Sequence, residues 1–148
     1  MKQIPKCYTI GYSNRPMDEF TGMLQKNNIK YLVDIRRFPQ SWREEFNKDA
    51  LQNTIPMYEI VYYHCPGVGG FRESTYPEYM QTGEFKENFS RLLDKINNVS
   101  GLPGEIVLMC AEKSPKDCHR HYLSMELENE GVQMIHLTES GQTSLSCW

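Results

Sequence analysis

The sequence predicts a single three-layer α/β domain around a mainly parallel, five-stranded sheet. Three observations carry that prediction: five apolar or β-branched runs of strand length, helical-period stripes between them, and a second run so continuously apolar that helices must cover both its faces. The 148 residues fit one domain, 1–148, and 39% hydrophobic with 11% aromatic residues supply one core.

Tyr8–Gly11 is a short apolar strand, and Pro16 suits the first position of a helix whose positive end Asp18 favours. Met17, Phe20, Met23 and Leu24 recur at spacings of three and four, and Asn27 with Asn28 stops that helix because Asn tolerates the left-handed conformation. Ile29–Ile35 is the second strand. Asn47 caps a short helix carrying Leu51 and Ile55, and Met57–Tyr63 makes a third strand rich in aromatic and β-branched residues. The turn-rich Gly67–Gly70 loop follows. Phe85, Phe89, Leu92, Leu93 and Ile96 then form the strongest helical stripe in the chain, which Gly101–Gly104 ends. Glu105–Cys110 is the fourth strand. Ser114, Pro115 and Asp117 set a capped helix start, Gly131 closes that helix after about Glu130, and Val132–Leu137 is the last strand before a polar tail from about 138.

Strands alternating with helices imply parallel pairing through right-handed crossovers. Ligands of such sheets sit beyond the carboxyl ends of the strands, where the strand order reverses, and the two loops richest in polar chemistry follow the first and fourth strands. The order 3-2-1-4-5 makes those two strands neighbours across the reversal. A flavodoxin-like order, 2-1-3-4-5, is the alternative.

Charge narrows the function classes. Sixteen Lys and Arg against 19 Asp and Glu leave a net charge of -3, and His121–Trp148 has four glutamates and no Lys or Arg, so a broad nucleic-acid stripe is not expected there. Basic residues gather instead near the strand-to-helix loops, at Arg15, Arg36, Arg37, Arg43, Arg72, Lys113 and Arg120. The longest apolar run, Ile106–Ala111, is far short of the ~18 residues of a membrane helix, and Met1–Lys6 lacks a signal-peptide core. A soluble cytoplasmic protein without a membrane partner is the expectation. Its five cysteines, odd in number and lacking Cys-x-x-Cys pairs, read as reduced thiols.

Most of the polar chemistry lies in Cys110–Arg120. A phosphate-cradling Cys-x5-Arg loop would need Arg where the chain has Lys116, and Cys110 reads equally as a small buried residue at a strand end. Both Cys110 and Cys118 are expected to be buried, neutral and non-catalytic, with Cys147 the readily reactive thiol. No metal is expected: His119 and His121 would point about 200° apart on a helix, and Cys-x7-Cys-His-x-His is not a zinc spacing. Arg120 near a helix start opposes the helix dipole, so a carboxylate such as Glu112 or a bound anion has to compensate it. In Gly11-Tyr12-Ser13-Asn14, a glycine that permits close backbone approach precedes a hydroxyl and an amide at a helix start, a place where anions bind readily. The same residues serve simple helix support. No dinucleotide-binding or P-loop glycine pattern is present, and no cofactor is expected. Asp34 reads as a structural partner for Arg36 rather than a base.

Taken together, Thr9–Asn14, Leu32–Arg36, Pro39 with Ser41, Gly69-Gly70, Tyr79-Met80, Cys110–Glu112 and Cys118–Arg120 resemble the domain of unknown function 488 family over about Tyr8–Leu137. The resemblance implies a compact Rossmann-like α/β domain and no assigned reaction. That family's first motif carries His where this chain has Tyr12, and its basic residue after Ser41 is displaced by Trp42 to Arg43.

The expected function is binding of, or catalysis on, a small anionic compound, phosphorylated or nucleotide-like, in the carboxyl-end crevice. Ser13 and Glu112 are the candidate catalytic residues. Gly11, Tyr12, Asn14, Arg36, Gly69, Gly70, His119 and Arg120 are the candidate ligand contacts, with Arg36 and Arg120 holding the anion and Glu112 as general acid or base. The alternative is a nucleic-acid accessory module using Arg36, Arg37, Trp42, Arg43 and Arg72 as a local basic and aromatic surface.

Overall fold

A computed structural model of the chain describes residues 4–39, 41–69, 75–111, 120–138 and 141–144. Its strands are β1 (Lys6–Gly11), β2 (Ile29–Asp34), β3 (Val61–His64), β4 (Glu105–Cys110), β5 (Gln133–Thr138) and β6 (Gly141–Ser144). The α-helices are α1 (Met17–Lys26), α2 (Lys48–Thr54), α3 (Tyr76–Tyr79), α4 (Gly83–Val99) and α5 (Arg120–Asn129).

The sheet order is β3-β2-β4-β1-β5-β6, with the first five strands parallel and β6 antiparallel on β5. The expected order 3-2-1-4-5 is thus corrected by exchanging its first and fourth strands, and the flavodoxin-like alternative is not the order found. The crossover through α1 leaves a one-strand gap between β1 and β2, and β4 fills it, pairing Gly11 with Cys110 on one side and Asp34 with Met109 on the other. β4 and β1 are the two central strands, and each buries five of its six residues. A strand this apolar is most stable where both faces and both edges are covered.

Two cores make the three layers. Phe20 and Leu24 of α1 and Leu51 of α2 pack with Ile10, Leu32, Val107 and Met109 on one face. Leu92 and Ile96 of α4 and Leu123 and Leu127 of α5 pack with Val33, Ile106, Leu108 and Met134 on the other. The alternation of faces along β4 follows from the two-residue period of a strand. The helices that follow β1 and β2 therefore lie on one face and those that follow β3 and β4 on the other, so along β3-β2-β4-β1 the chain exits alternate sides. Every neighbouring pair of carboxyl ends diverges, the topology at which open α/β sheets bind their ligands.

Four local expectations change. The third strand begins at Val61 rather than Met57, because Ile55–Tyr58 form a 3-10 turn led by Pro56, and Glu59, at φ 63°, takes the left-handed conformation that breaks any extended run. Asn47 precedes α2 but donates no cap to it; its side-chain oxygen accepts the Ser41 N–H instead. The expected polar tail contributes β6. The short helix α3 was not anticipated; Thr75 caps it by accepting the Glu78 N–H, and Pro77 sits in its first turn. The expected helix start at Ser114–Asp117 lies outside the described residues. None of the described helices is long and apolar enough to cross a membrane.

Candidate functional site

Backbone hydrogen bonds continue past the strand ends and fix the carboxyl edge of the sheet. Tyr12 N–H donates to the Cys110 carbonyl (3.1 Å), Ser13 N–H to that of Ala111 (2.8 Å), Ile35 N–H to that of Met109 (3.1 Å) and Cys65 N–H to that of Asp34 (2.8 Å). The loop after β1 then turns sharply, with Arg15 N–H donating to the Tyr12 carbonyl (2.8 Å) and Ser13 at φ 37°. A positive φ is uncommon for serine and is held here by bonds on both sides of it.

At the end of β2 the polar groups close on one another. Asp34 is fully buried, and Arg36 clasps it with two nitrogens, Nε to Oδ1 at 2.8 Å and Nη2 to Oδ2 at 2.7 Å. The Arg36 N–H also donates to Oδ1 (3.1 Å), and the Tyr62 hydroxyl donates to Oδ2 (2.5 Å). Arg36 Nη1 donates to the Tyr12 hydroxyl at 3.3 Å. Burial by itself would weaken the hold of the Arg36 guanidinium on its proton, but the hydrogen bonds and charge of Asp34 override it and push its pKa up. Burial, then the Asp34 carboxylate, push the Tyr62 hydroxyl well above the usual tyrosine range.

Tyr12 is buried and joins this cluster to the next loop. Its ring stacks on Phe46, with centroids 4.4 Å apart and planes 10° from parallel. The Arg36 guanidinium carbon lies 5.3 Å from the Tyr12 ring centre and that of Arg43 lies 4.6 Å from the Phe46 ring centre. Two cations and two rings thus form one ladder, in which the ring faces attract the guanidiniums. Arg43 also donates to the Ser13 carbonyl (2.8 Å), tying the two loops together. Gly69, buried after β3, has to be glycine: a Cβ there would collide with the Ile35 carbonyl oxygen and the Arg37 nitrogen.

At the end of β1 the polar groups stay open. Arg15 is buried, its side chain only 1% exposed; Nε donates to the Gly11 carbonyl (2.9 Å) and Nη1 pairs with the half-exposed Glu19 (3.1 Å). Its third nitrogen, Nη2, is buried with no hydrogen-bond partner among the described residues. Pro16 occupies the N-cap position of α1 and supplies no side-chain cap to that helix. The half-buried Ser13 hydroxyl and the exposed Asn14 amide make no hydrogen bond among the described residues.

The structure therefore brings Gly11, Tyr12, Ser13, Asn14 and Arg36 to one edge, with Gly69 packed against the backbone below Arg36. Gly70, Glu112 and His119 lie outside the described residues, as do Arg72, Lys113, Cys118 and Cys147, and the Arg120 side chain is likewise outside what is described. The reading of Asp34 as a structural partner of Arg36 matches the clasp. Sequence reasoning counted Arg15 among the loop cations without giving it a site role, and did not pick out Phe46 or Tyr62. The i, i+4 pair Arg15 and Glu19 was the available signal for the first. Cys110 is buried at the end of β4. Burial pushes the Cys7 thiol far up, with Glu105 adding to it, and raises the Cys65 thiol against the opposing charges of Lys95 and Arg91. Among the described residues no group of three His, Cys, Asp or Glu is placed to hold a metal ion.

The family model described as "Domain of unknown function DUF488" matches residues 16–127, more than half of the chain, and the chain belongs to that family. No curated protein and no solved structure matches it.

Proposed function

We propose that this member of the family binds a small phosphorylated anion at the open end of the crevice, over the loop between β1 and α1. One observation carries the reading: a buried guanidinium nitrogen, Arg15 Nη2, with no partner among the described residues, lying between the end of β1 and the first turn of a helix that lacks a side-chain cap. An unmet buried donor costs about 1–3 kcal/mol, so the loop after β1 gains by shifting enough to let an anion accept from it. The helix dipole favours the same charge, shared there with the carboxylates of Asp18, which accepts the Glu19 N–H (2.9 Å), and Glu19.

Within this reading Ser13 and Asn14 orient the anion. Arg36, already clasped by Asp34, acts through Tyr12, holding that ring and hydroxyl in place. Arg120, in α5, is the second cation. Glu112 follows Ala111, whose carbonyl holds the Ser13 N–H, and would be the general acid or base if a reaction occurs there.

The test is thermal unfolding of the full chain with inorganic phosphate and ribose 5-phosphate. A site of this kind raises stability by about 2.7 kcal/mol at a ligand concentration 100-fold above Kd, visible as a concentration-dependent rise in Tm. Arg15→Met should abolish that rise. A rise of equal size in Arg15→Met would overturn the assignment.

A further inference from the structure

The segment from Ser41 to Lys48 holds a large aromatic side chain out in solvent. Trp42 is 90% exposed, and Phe38, just before the loop, is 56% exposed with the Arg37 guanidinium over its ring. The loop itself is well held. Lys48 N–H donates to the Pro39 carbonyl (2.9 Å) and Ser41 N–H to the Asn47 side chain (2.5 Å), which close its base. Phe46 anchors it in the core with no exposure at all, and Arg43, next to Trp42, is bonded to the Ser13 carbonyl. A single exposed apolar residue is ordinary on a protein surface. Trp42 is an unburied indole one residue from Arg43, which binds the Ser13 carbonyl, so the segment that carries it is tied to the loop after β1 and offers an aromatic face for stacking near the proposed anion site.

We infer that the ligand of this crevice is a mononucleotide, its phosphate at the loop after β1 and its base stacked on Trp42. This rests on the anion site proposed above. Charge decides between a mononucleotide and a nucleic-acid strand: over residues 37–49 three cations, Arg37, Arg43 and Lys48, are matched by three carboxylates, Glu44, Glu45 and Asp49. A strand needs a run of unmatched cations for its successive phosphates, and this loop offers none. The aromatic surface supplies stacking, and the neighbouring loop supplies the anion contact.

The experiment titrates AMP and GMP, ribose 5-phosphate as the same anion without a base, and an oligothymidylate, into protein carrying Trp148→Phe so that Trp42 is the sole tryptophan. Nucleotides should quench Trp42 fluorescence and bind about tenfold more tightly than ribose 5-phosphate, in line with base-on-aromatic stacking. Trp42→Ala, followed by calorimetry, should bring nucleotide affinity down to that of ribose 5-phosphate and leave the latter unchanged. Equal affinity for the nucleotides and ribose 5-phosphate, insensitive to Trp42→Ala, would overturn the inference while the anion site stands. Failure of AMP, GMP and ribose 5-phosphate alike to bind would remove both. Oligothymidylate binding far more tightly than the mononucleotides, with a steep inverse salt dependence, would replace the mononucleotide by a strand.

Discussion

Arg36 and Arg15 stand at the same edge of the sheet, both buried, with different sets of partners. Arg36 has a fully buried carboxylate on two of its nitrogens, and a tyrosine hydroxyl completes that carboxylate's bonding. Arg15 has a backbone carbonyl, a half-exposed glutamate and one nitrogen with no partner among the described residues. A buried ion pair contributes little net stability, yet removing one member leaves an uncompensated charge in a low dielectric. The β2 end is therefore a clasp that must stay intact, whereas the β1 end leaves one buried guanidinium nitrogen without a partner among the described residues. Family patterns that include Asp34-Ile35-Arg36 consequently report on architecture at least as much as on ligand contact.

The largest expected effect comes from opening the clasp. Asp34→Asn keeps the side-chain shape but leaves the Arg36 charge unmatched at a site 8% exposed, and should lower the free energy of unfolding by about 3–5 kcal/mol. Urea denaturation checks this. A loss below about 1 kcal/mol would show that water reaches Arg36 and that the two ends are alike.

A smaller effect follows from the Tyr62 hydroxyl, whose pKa the folded protein raises from its ordinary value of 10.0, through burial first and Asp34 second. Unfolded chains release this proton above about pH 10 while the folded protein keeps it, so the unfolded state binds fewer protons there and stability falls as pH rises. Cys7 and Cys65, raised from 9.0, begin the same loss about one pH unit lower. Tyr62→Phe should leave the slope of stability against pH unchanged between about pH 9 and 10 and make it shallower by about one proton above that. Identical slopes in the two proteins would detach Tyr62 from the clasp.

The two ends also differ in how far the sequence discloses them. Asp34-Ile35-Arg36 is legible because an aspartate at a strand end readily accepts the backbone N–H two residues on, which brings the Arg36 guanidinium back over the carboxylate. Tyr62 is not legible: it reaches Asp34 only because β3 lies beside β2 in the register that pairs Leu32 with Tyr62, and that pairing is long-range. The strand order fails for the same reason. Periodicity marks where strands occur, but the insertion of β4 between β1 and β2 depends on which gap the α1 crossover leaves. At the β1 end the glycine, the hydroxyl and the helix start are visible as a local pattern, whereas the special status of Arg15 arises from which of its nitrogens find partners. That is a property of the folded geometry alone.

The smallest effect sharpens the comparison most, because it is the reciprocal of the clasp experiment. Arg15→Met removes the bond to the Gly11 carbonyl and an ion pair with Glu19, whose side chain is 43% exposed. Pairs of that exposure contribute about 0–1 kcal/mol, and a single hydrogen bond about 0.5–1.5 kcal/mol. The same substitution relieves a buried guanidinium nitrogen that lacks a partner, a gain of about 1–3 kcal/mol, and the methionine stem fills much of the vacated space. Gains and losses of similar size leave the unfolding free energy within about 1 kcal/mol of the parent. Urea denaturation without added anion reads this directly. A loss as large as that of Asp34→Asn would mean that Arg15 is itself a structural clasp, and the β1 end would then have no unused cation to offer a ligand.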